Sequence, residues 1–241
     1  MIVDCHVHVK GGDTYRREFR PAEILRTMDE AGVDQSVIFS ICLPSRASND
    51  LTRDCYEACP ERFIPFAHVV PGEGNGAMEE LRRTVADWGW RGLKVHRGEM
   101  DEPDLGLLLP LGEKCVEYDI PMLIDVGGAY ELSCGLAASL PELKLIIAHL
   151  GAPQDEKGVD KHLVWAQEFP NLHLDLSYCH VPWKIPEAFQ RVPVEKFVWG
   201  SDGPIIHPSI ELKKVEVCDL SAEDFDLVTG GNLLRLLGPE R

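Results

Sequence analysis

Polar and apolar positions alternate between two rhythms along this chain. Short β-rich runs are followed by stretches whose apolar residues recur at helical spacing, as in Met78, Leu81, Val85 and Trp88. The pattern predicts strands at Ile2–Val9, Ser36–Phe39, Phe63–His68, Gly92–His96, Pro121–Asp125, Leu143–His149, Leu172–Leu176 and Phe197–Gly200. It predicts helices at Pro21–Ala31, Asp50–Ala58, Gly76–Trp88, Leu111–Tyr118, Leu132–Leu140, Lys161–Phe169 and Pro186–Arg191. Two closing helices follow, near Ser209–Val217 and Ala222–Val228. Pro21 suits a first helical turn and Gly32 the position past an end. Pro65 is awkward for a central strand. Ser221 with Asp224 three residues on resembles a capping pair. Alternating strands and helices argue for a parallel sheet, and eight such pairs argue for a closed (β/α)₈ TIM barrel. An open doubly wound sheet is the alternative, but no Gly-x-Gly-x-x-Gly follows the first strand. No linker or low-complexity segment interrupts residues 1–241, which read as one domain.

The chain has 241 residues, 44% of them hydrophobic, and a formal net charge of −16. That length supports one sizeable core. Such a charge repels nucleic acid and anionic membranes, which excludes both as expected partners. No run is long and apolar enough to span a bilayer. The first residues lack a basic segment followed by an apolar run, so no signal peptide is expected. Eight scattered cysteines, without Cys-x-x-Cys, suit reduced thiols in a cytoplasmic protein.

The chemistry starts in the first strand, which carries Asp4-x-His6-x-His8. On a regular strand these three side chains share one face, with Val3, Cys5 and Val7 on the other. Two imidazoles two residues apart can grip one metal ion through their neutral nitrogens. The plainer alternative is a pair of hydrogen-bonded core histidines. In a barrel the active site lies at the C-terminal ends of the strands. There the chain places His68, Lys94 and His96, Asp125, His149 and Asp202. Ionisable groups at the ends of apolar strands are costly unless partnered, and clustered at one rim they read as one site.

On these residues the chain resembles the amidohydrolase superfamily, in its amidohydrolase-related branch of aminocarboxymuconate-semialdehyde-decarboxylase-like enzymes. The motifs are Asp4-Cys-His6-Val-His8, Gly92-Leu-Lys-Val-His96, Ile120-Pro-Met-Leu-Ile-Asp125, Leu145-Ile-Ile-Ala-His149-Leu-Gly151, Asn171-Leu-His-Leu-Asp-Leu-Ser177, Trp199-Gly-Ser-Asp202-Gly-Pro204 and Gly230-Gly-Asn232-Leu-Leu-Arg-Leu-Leu237. The resemblance implies one divalent ion, zinc first and manganese second, with its bound water or hydroxide as the reactive species. It implies that His6, His8 and Asp202 hold the metal, that Asp202 doubles as general base, and that His149 assists. The strand-five ligand is usually histidine, where this chain has Asp125. Either Asp125 is an oxygen ligand or the metal is lost, as in the metal-free pyrone-dicarboxylate lactonases.

Lys94, His96 and His68 are the expected substrate contacts, Lys94 as a plain cation for a substrate carboxylate; the alternative that the resemblance implies is a carboxylated Lys94 bridging two ions, as in two-metal members. For His68 and His96 a structural hydrogen bond is the alternative. His162 and His173 read as structural or solvated. Nothing singles out His180 or His207 in the loops after strands seven and eight. Asp175 either faces the barrel mouth or ties the strand-seven loop. Arg16, Arg17 and Arg20 either meet an acidic substrate or solvate a helix entry. The expected activity is metal-dependent hydrolysis of a small carboxylate- or amide-bearing metabolite. The alternatives are decarboxylation, metal-free lactone hydrolysis, or a degenerate barrel that only binds a ligand. The partner is a small molecule, and a homo-oligomer is compatible with the sequence.

Overall fold

The computed structural model describes residues 1–11 and 18–239. Eight barrel strands alternate with helices: β1 Val3–His8, α1 Pro21–Ala31, β2 Gln35–Phe39, α2 Ser45–Ala58, β3 in two pieces (Phe63–Pro65 and Ala67–His68), α3 Asn75–Arg82, β4 Leu93–His96, α4 Leu105–Glu117, β5 Met122–Asp125, α5 Glu131–Ser139, β6 Leu145–Ile147, α6 Glu156–Glu168, β7 Leu172–Asp175, α7 Lys184–Arg191 and β8 Phe197–Val198. Then come α8 Pro208–Glu216, α9 Ala222–Asp226 and α10 Asn232–Leu237. Every strand pairs parallel to its neighbour in sequence. The ring closes where β8 meets β1: the Cys5 N–H donates to Trp199 O at 3.0 Å and the His8 N–H to Gly203 O at 2.8 Å. The closed (β/α)₈ barrel is therefore the fold.

Pro65 sits at a change of partner. The Phe66 N–H still donates to Ile38 O of β2, while Ala67 is the first residue of β3 to donate to Gly92 O beside β4. Two residues earlier on that side, a missing N–H costs no ladder bond. Two apolar layers hold the ring. Outside it, Ile24, Met28, Leu81, Leu108 and Leu163 pack helices onto strands. Inside, Val37, Phe39, Ile64, Phe66, Leu123, Ile146 and Val198 fill the barrel, and Leu233, Leu236 and Leu237 of α10 join them. Burial of such side chains stabilises by about 1.5–3 kcal/mol each. The sequence pattern did not mark α10 as a helix.

Strand one departs from strict alternation. Asp4 pairs with Ser36 but Val7 with Ile38, so β1 carries one extra residue across that interval. A bulge of this kind re-aims the side chains around it. Val3 and Cys5 consequently belong to the inner layer, whereas Val7 and Val9 face the helices. Asp4 does not share a face with the histidines. Its Oδ1 accepts from the backbone N–H of His6 at 3.0 Å and of Ser201 at 2.9 Å, which pins the β1–β8 seam.

Several helices begin earlier than the apolar spacing suggests, because caps rather than apolar residues set their starts. The Asp104 side chain accepts from the Gly106 N–H and starts α4 at Leu105, ahead of Pro110. Asp155 does the same through the Lys157 N–H and starts α6 at Glu156. The Ser221–Asp224 cap forms as the sequence suggests. The sixth strand ends at Ile147; Ala148–Gly151 is a tight turn in which His149 has φ 61° and Leu150 φ 52°. Among the described residues no helix is long and apolar enough to cross a membrane.

Candidate active site

The C-terminal ends of the strands surround a cavity of about 410 Å³. His6, His8, Lys94, His96, Asp125, His149 and Asp202 all line it. Ile41, Ala152, Pro153 and Ile205 give it apolar walls, and Tyr130 and Tyr178 add two phenol rings. Ordinary ligand cavities fall in the same range of about 300–1,000 Å³.

At the floor, His6 is fixed on both nitrogens. Its Nδ1 lies 2.7 Å from Asp175 Oδ2, so Nδ1–H donates and the Nε2 lone pair is left to the cavity. That Nε2 is 3.1 Å from Lys94 Nζ and 3.3 Å from Asp202 Oδ1. His8 Nε2 is 2.8 Å from the same Asp202 oxygen. Asp175 is held in turn by Ser177, whose N–H donates to Oδ1 at 2.8 Å and whose hydroxyl donates to Oδ2 at 2.6 Å. His149 stacks on His6 with ring centroids 4.8 Å apart. Its Nδ1 lies 3.0 Å from the Ser177 backbone carbonyl, so Nδ1 carries the proton and Nε2 faces the cavity, 3.7 Å from Asp125 Oδ2. Both His149 (φ 61°) and Asp202 (φ 60°) hold left-handed backbone, as does the cavity residue Tyr178 (φ 53°). Strain of order 1–3 kcal/mol per residue persists only where the surroundings over-determine it, and such residues cluster at working sites.

Burial sets the charges. It pushes His6 well below its ordinary value, helped by the Lys94 ammonium, and brings His8 down to about 4. Both imidazoles are therefore neutral at pH 7, as metal ligands must be. Burial opposes ionisation of Asp202, but the hydrogen bond from His8 prevails and holds it well below the usual carboxylate range. At Asp125 burial is likewise outweighed by the His96 contact and by His149 and Lys94. Lys94 is lowered by burial against the pull of Asp125, Asp202 and Asp175. At the seam, burial lifts Asp4 to about 7.

The donor atoms of His6, His8 and Asp202 lie within 4.8 Å of one another. Two neutral imidazoles and one carboxylate, with the cavity as an open side, suit a catalytic divalent ion. The His6–Asp175 bond supplies the outer support that such ligands need. The residues present therefore fit a metal. A second group, His6, His149 and Asp175, lies equally close. It fits less well, because Asp175 does not line the cavity and this group therefore offers no open side to a substrate.

Two expected contributors stand elsewhere. Asp125 is outside both close groups; its Oδ2 lies 3.4 Å from His96 Nε2, across the cavity. His68 is fully buried and does not line the cavity. Its Nε2 faces Glu99 Oε2 at 3.1 Å, in the loop after β4, and its Nδ1 the Lys94 carbonyl at 3.2 Å. Arg16 and Arg17 lie outside the described residues, and Arg20 pairs with Glu18 at the surface. His162 is structural, bonded to Ser133 and Gly158 O, and His207 caps α8. Sequence reasoning left Asp175 undecided and missed Ser177, Glu99 and the two tyrosines. Asp175 and Ser177 had one legible signal, their two-residue spacing at the end of β7.

A barrel whose rim gathers three close ligand groups is of the kind that can hold a metal ion. The chain belongs to the amidohydrolase family, whose model matches residues 3–238. It is an enzyme of that family. No curated protein matches it. Among solved structures it is similar to 2,6-dihydroxybenzoate decarboxylase from Rhizobium, at TM-score 0.78 and 18% identity over 98% of each chain. It is similar to dihydroxybenzoic acid decarboxylase from Polaromonas sp. JS666 with bound manganese and the inhibitor 2-nitroresorcinol, at 0.76 and 18% over 98% of this chain and 96% of that one. The 4-oxalomesaconate hydratase from Rhodopseudomonas palustris follows at 0.73 and 19%, over 98% and 95%.

Proposed function

We propose that the chain is a divalent-metal-dependent decarboxylase of a small carboxylated metabolite. The observation that carries this reading is the convergence of His6, His8 and Asp202, beside the buried cation Lys94, on the floor of a ring-sized cavity. Two of the similar structures are decarboxylases and one of them holds manganese, which supports the same choice. His6, His8 and Asp202 would hold the ion, zinc or manganese, and when bound it would supply a Lewis acid for a substrate oxygen. Asp125 would act through its contacts to His96 and His149.

The reaction exchanges a C–COO⁻ bond for C–H and releases CO₂, so it consumes one proton. Apolar walls favour loss of a charged carboxylate as neutral CO₂. Asp202, ionised beforehand, would take up a proton from solvent water and hand it to the carbon that loses CO₂, and His149, with Nε2 toward the cavity, would orient the reacting group. Lys94 and His96 would meet the substrate's remaining anionic group. Hydrolysis is the second reading. It is favoured by the ionised Asp202 carboxylate 2.8 Å from His8, which suits a base that draws a proton from water.

The test is a screen of small carboxylic acids, lactones and amides with metal-loaded protein, reading CO₂ release separately from hydrolysis. CO₂ release is expected. Hydrolysis without CO₂ would transfer the assignment to the second reading. Asp202→Asn is nearly isosteric but removes the basicity, and should lower kcat by at least about 10². His149→Asn should also lower kcat, without simple additivity if both act on one proton transfer. Wild-type turnover in Asp202→Asn would make Asp202 a structural carboxylate.

A further inference from the structure

His6 Nε2 has one lone pair in the plane of its ring, and its Nδ1–H is spent on Asp175. In the structure that lone pair already has a partner. Lys94 projects from β4 into the barrel, fully buried, with Nζ 3.1 Å from His6 Nε2 and 4.9 Å from the Phe39 ring centroid. His6 Nε2 is also 3.3 Å from Asp202 Oδ1, the oxygen that His8 Nε2 approaches to 2.8 Å. It can accept an N–H from Lys94 or bind an ion, but not both. A divalent ion beside the same nitrogen would also face the ammonium at close range in a site with little water to screen them.

We propose that Lys94 is a resident competitor for the metal, holding the His6 lone pair in the metal-free protein and releasing it when the ion binds. The inference rests on the metal-dependent reading above. Its physical content is a displacement. Loading the site breaks the Lys94–His6 hydrogen bond and moves the ammonium off the nitrogen. The flexible four-carbon stem of lysine permits that movement. Asp125, lining the same cavity, offers the displaced charge a carboxylate. Two consequences follow. The metal-free site keeps an internal cation among its buried carboxylates, and metal affinity is lower than the ligand set alone would give.

Removing the lysine charge should therefore tighten metal binding. Hydrogen bonds to charged groups are strong enough for an expected gain of about ten-fold or more. Wild type, Lys94→Met and Lys94→Gln would be stripped with chelator and titrated with Zn²⁺ and with Mn²⁺ against a chromophoric competitor. Melting temperatures would be read with and without the ion, since a ligand that binds only the folded state raises Tm according to its affinity. Tighter binding and a larger metal-induced rise in Tm in the variants are expected. Ion uptake by the variants but not by wild type would support the proposal equally. Equal affinity in all three, or weaker binding in the variants, would overturn it and leave the metal-dependent reading standing. If no form took up either ion, both would fall. Should Lys94→Met fail to fold, Lys94→Gln decides, being neutral yet able to hydrogen-bond.

Discussion

At the scale of single residues, the site depends on which nitrogen of each histidine carries a proton. Asp175 and the Ser177 carbonyl settle this for His6 and His149, by accepting from the two Nδ1–H groups. Asp175 does not line the cavity, and its most direct contact with a residue that does is the 2.7 Å bond to His6 Nδ1. Asp175→Asn replaces one acceptor oxygen with an N–H₂ group. The His6 ring then loses its preference for a free Nε2 lone pair. Outer-shell changes of this kind typically cost about 10–100-fold in metal affinity. We expect that loss for Asp175→Asn in a Zn²⁺ titration, with the fold retained as judged by near-UV circular dichroism. Unchanged affinity would show that the tautomer is set by something else.

Elements contribute through the ways they stop. β6 is cut short at Ile147, and the turn that follows runs through three left-handed residues, His149, Leu150 and Gly151. This turn throws the His149 ring back over His6. Gly151 (φ 77°) permits the turn for two reasons. It has no side chain to strain, and a Cβ there would lie 2.3 Å from carbons of the His162 ring on α6. His162 cannot easily retreat, being bonded to Ser133 and to Gly158 O. Gly151→Ala therefore adds left-handed strain and overpacking together. The expected loss is roughly 2–5 kcal/mol in urea unfolding. A loss under about 0.5 kcal/mol would mean that the turn relaxes without cost.

For the whole molecule, the barrel separates stability from chemistry. The rim with the site is at one end of the strands, and α10 contributes to the inner core from the stretch that follows the last strand. Leu233 of α10 is 1% exposed and packs with Val3, Phe39 and Val198. Leu233→Ala should lower unfolding free energy by about 2–5 kcal/mol through lost transfer and a cavity. It should leave metal affinity unchanged at temperatures where the protein is folded. A joint loss of stability and affinity would show that the inner core is coupled to the rim.

Alternation of strand and helix patterns was readable because each buries a different apolar period, and a βα unit repeated eight times closes in few ways. The sequence alone thus determined the barrel. It also placed His6, His8, Lys94, His96, Asp125, His149 and Asp202 at strand ends, since strand position and rim position are the same thing in this fold. Tertiary structure alone decided the rest. The β1 bulge overrode simple alternation, so Asp4 went to the β8 seam and Cys5 to the inner core. His68 met Glu99 of the loop after β4 rather than the cavity. Asp125 met His96 rather than joining the His6–His8–Asp202 group, and Lys94 came to rest on the lone pair of His6. Those outcomes turn on register and on contacts between groups on different strands. A one-dimensional pattern records which face a residue prefers, but not which of several nearby partners it reaches.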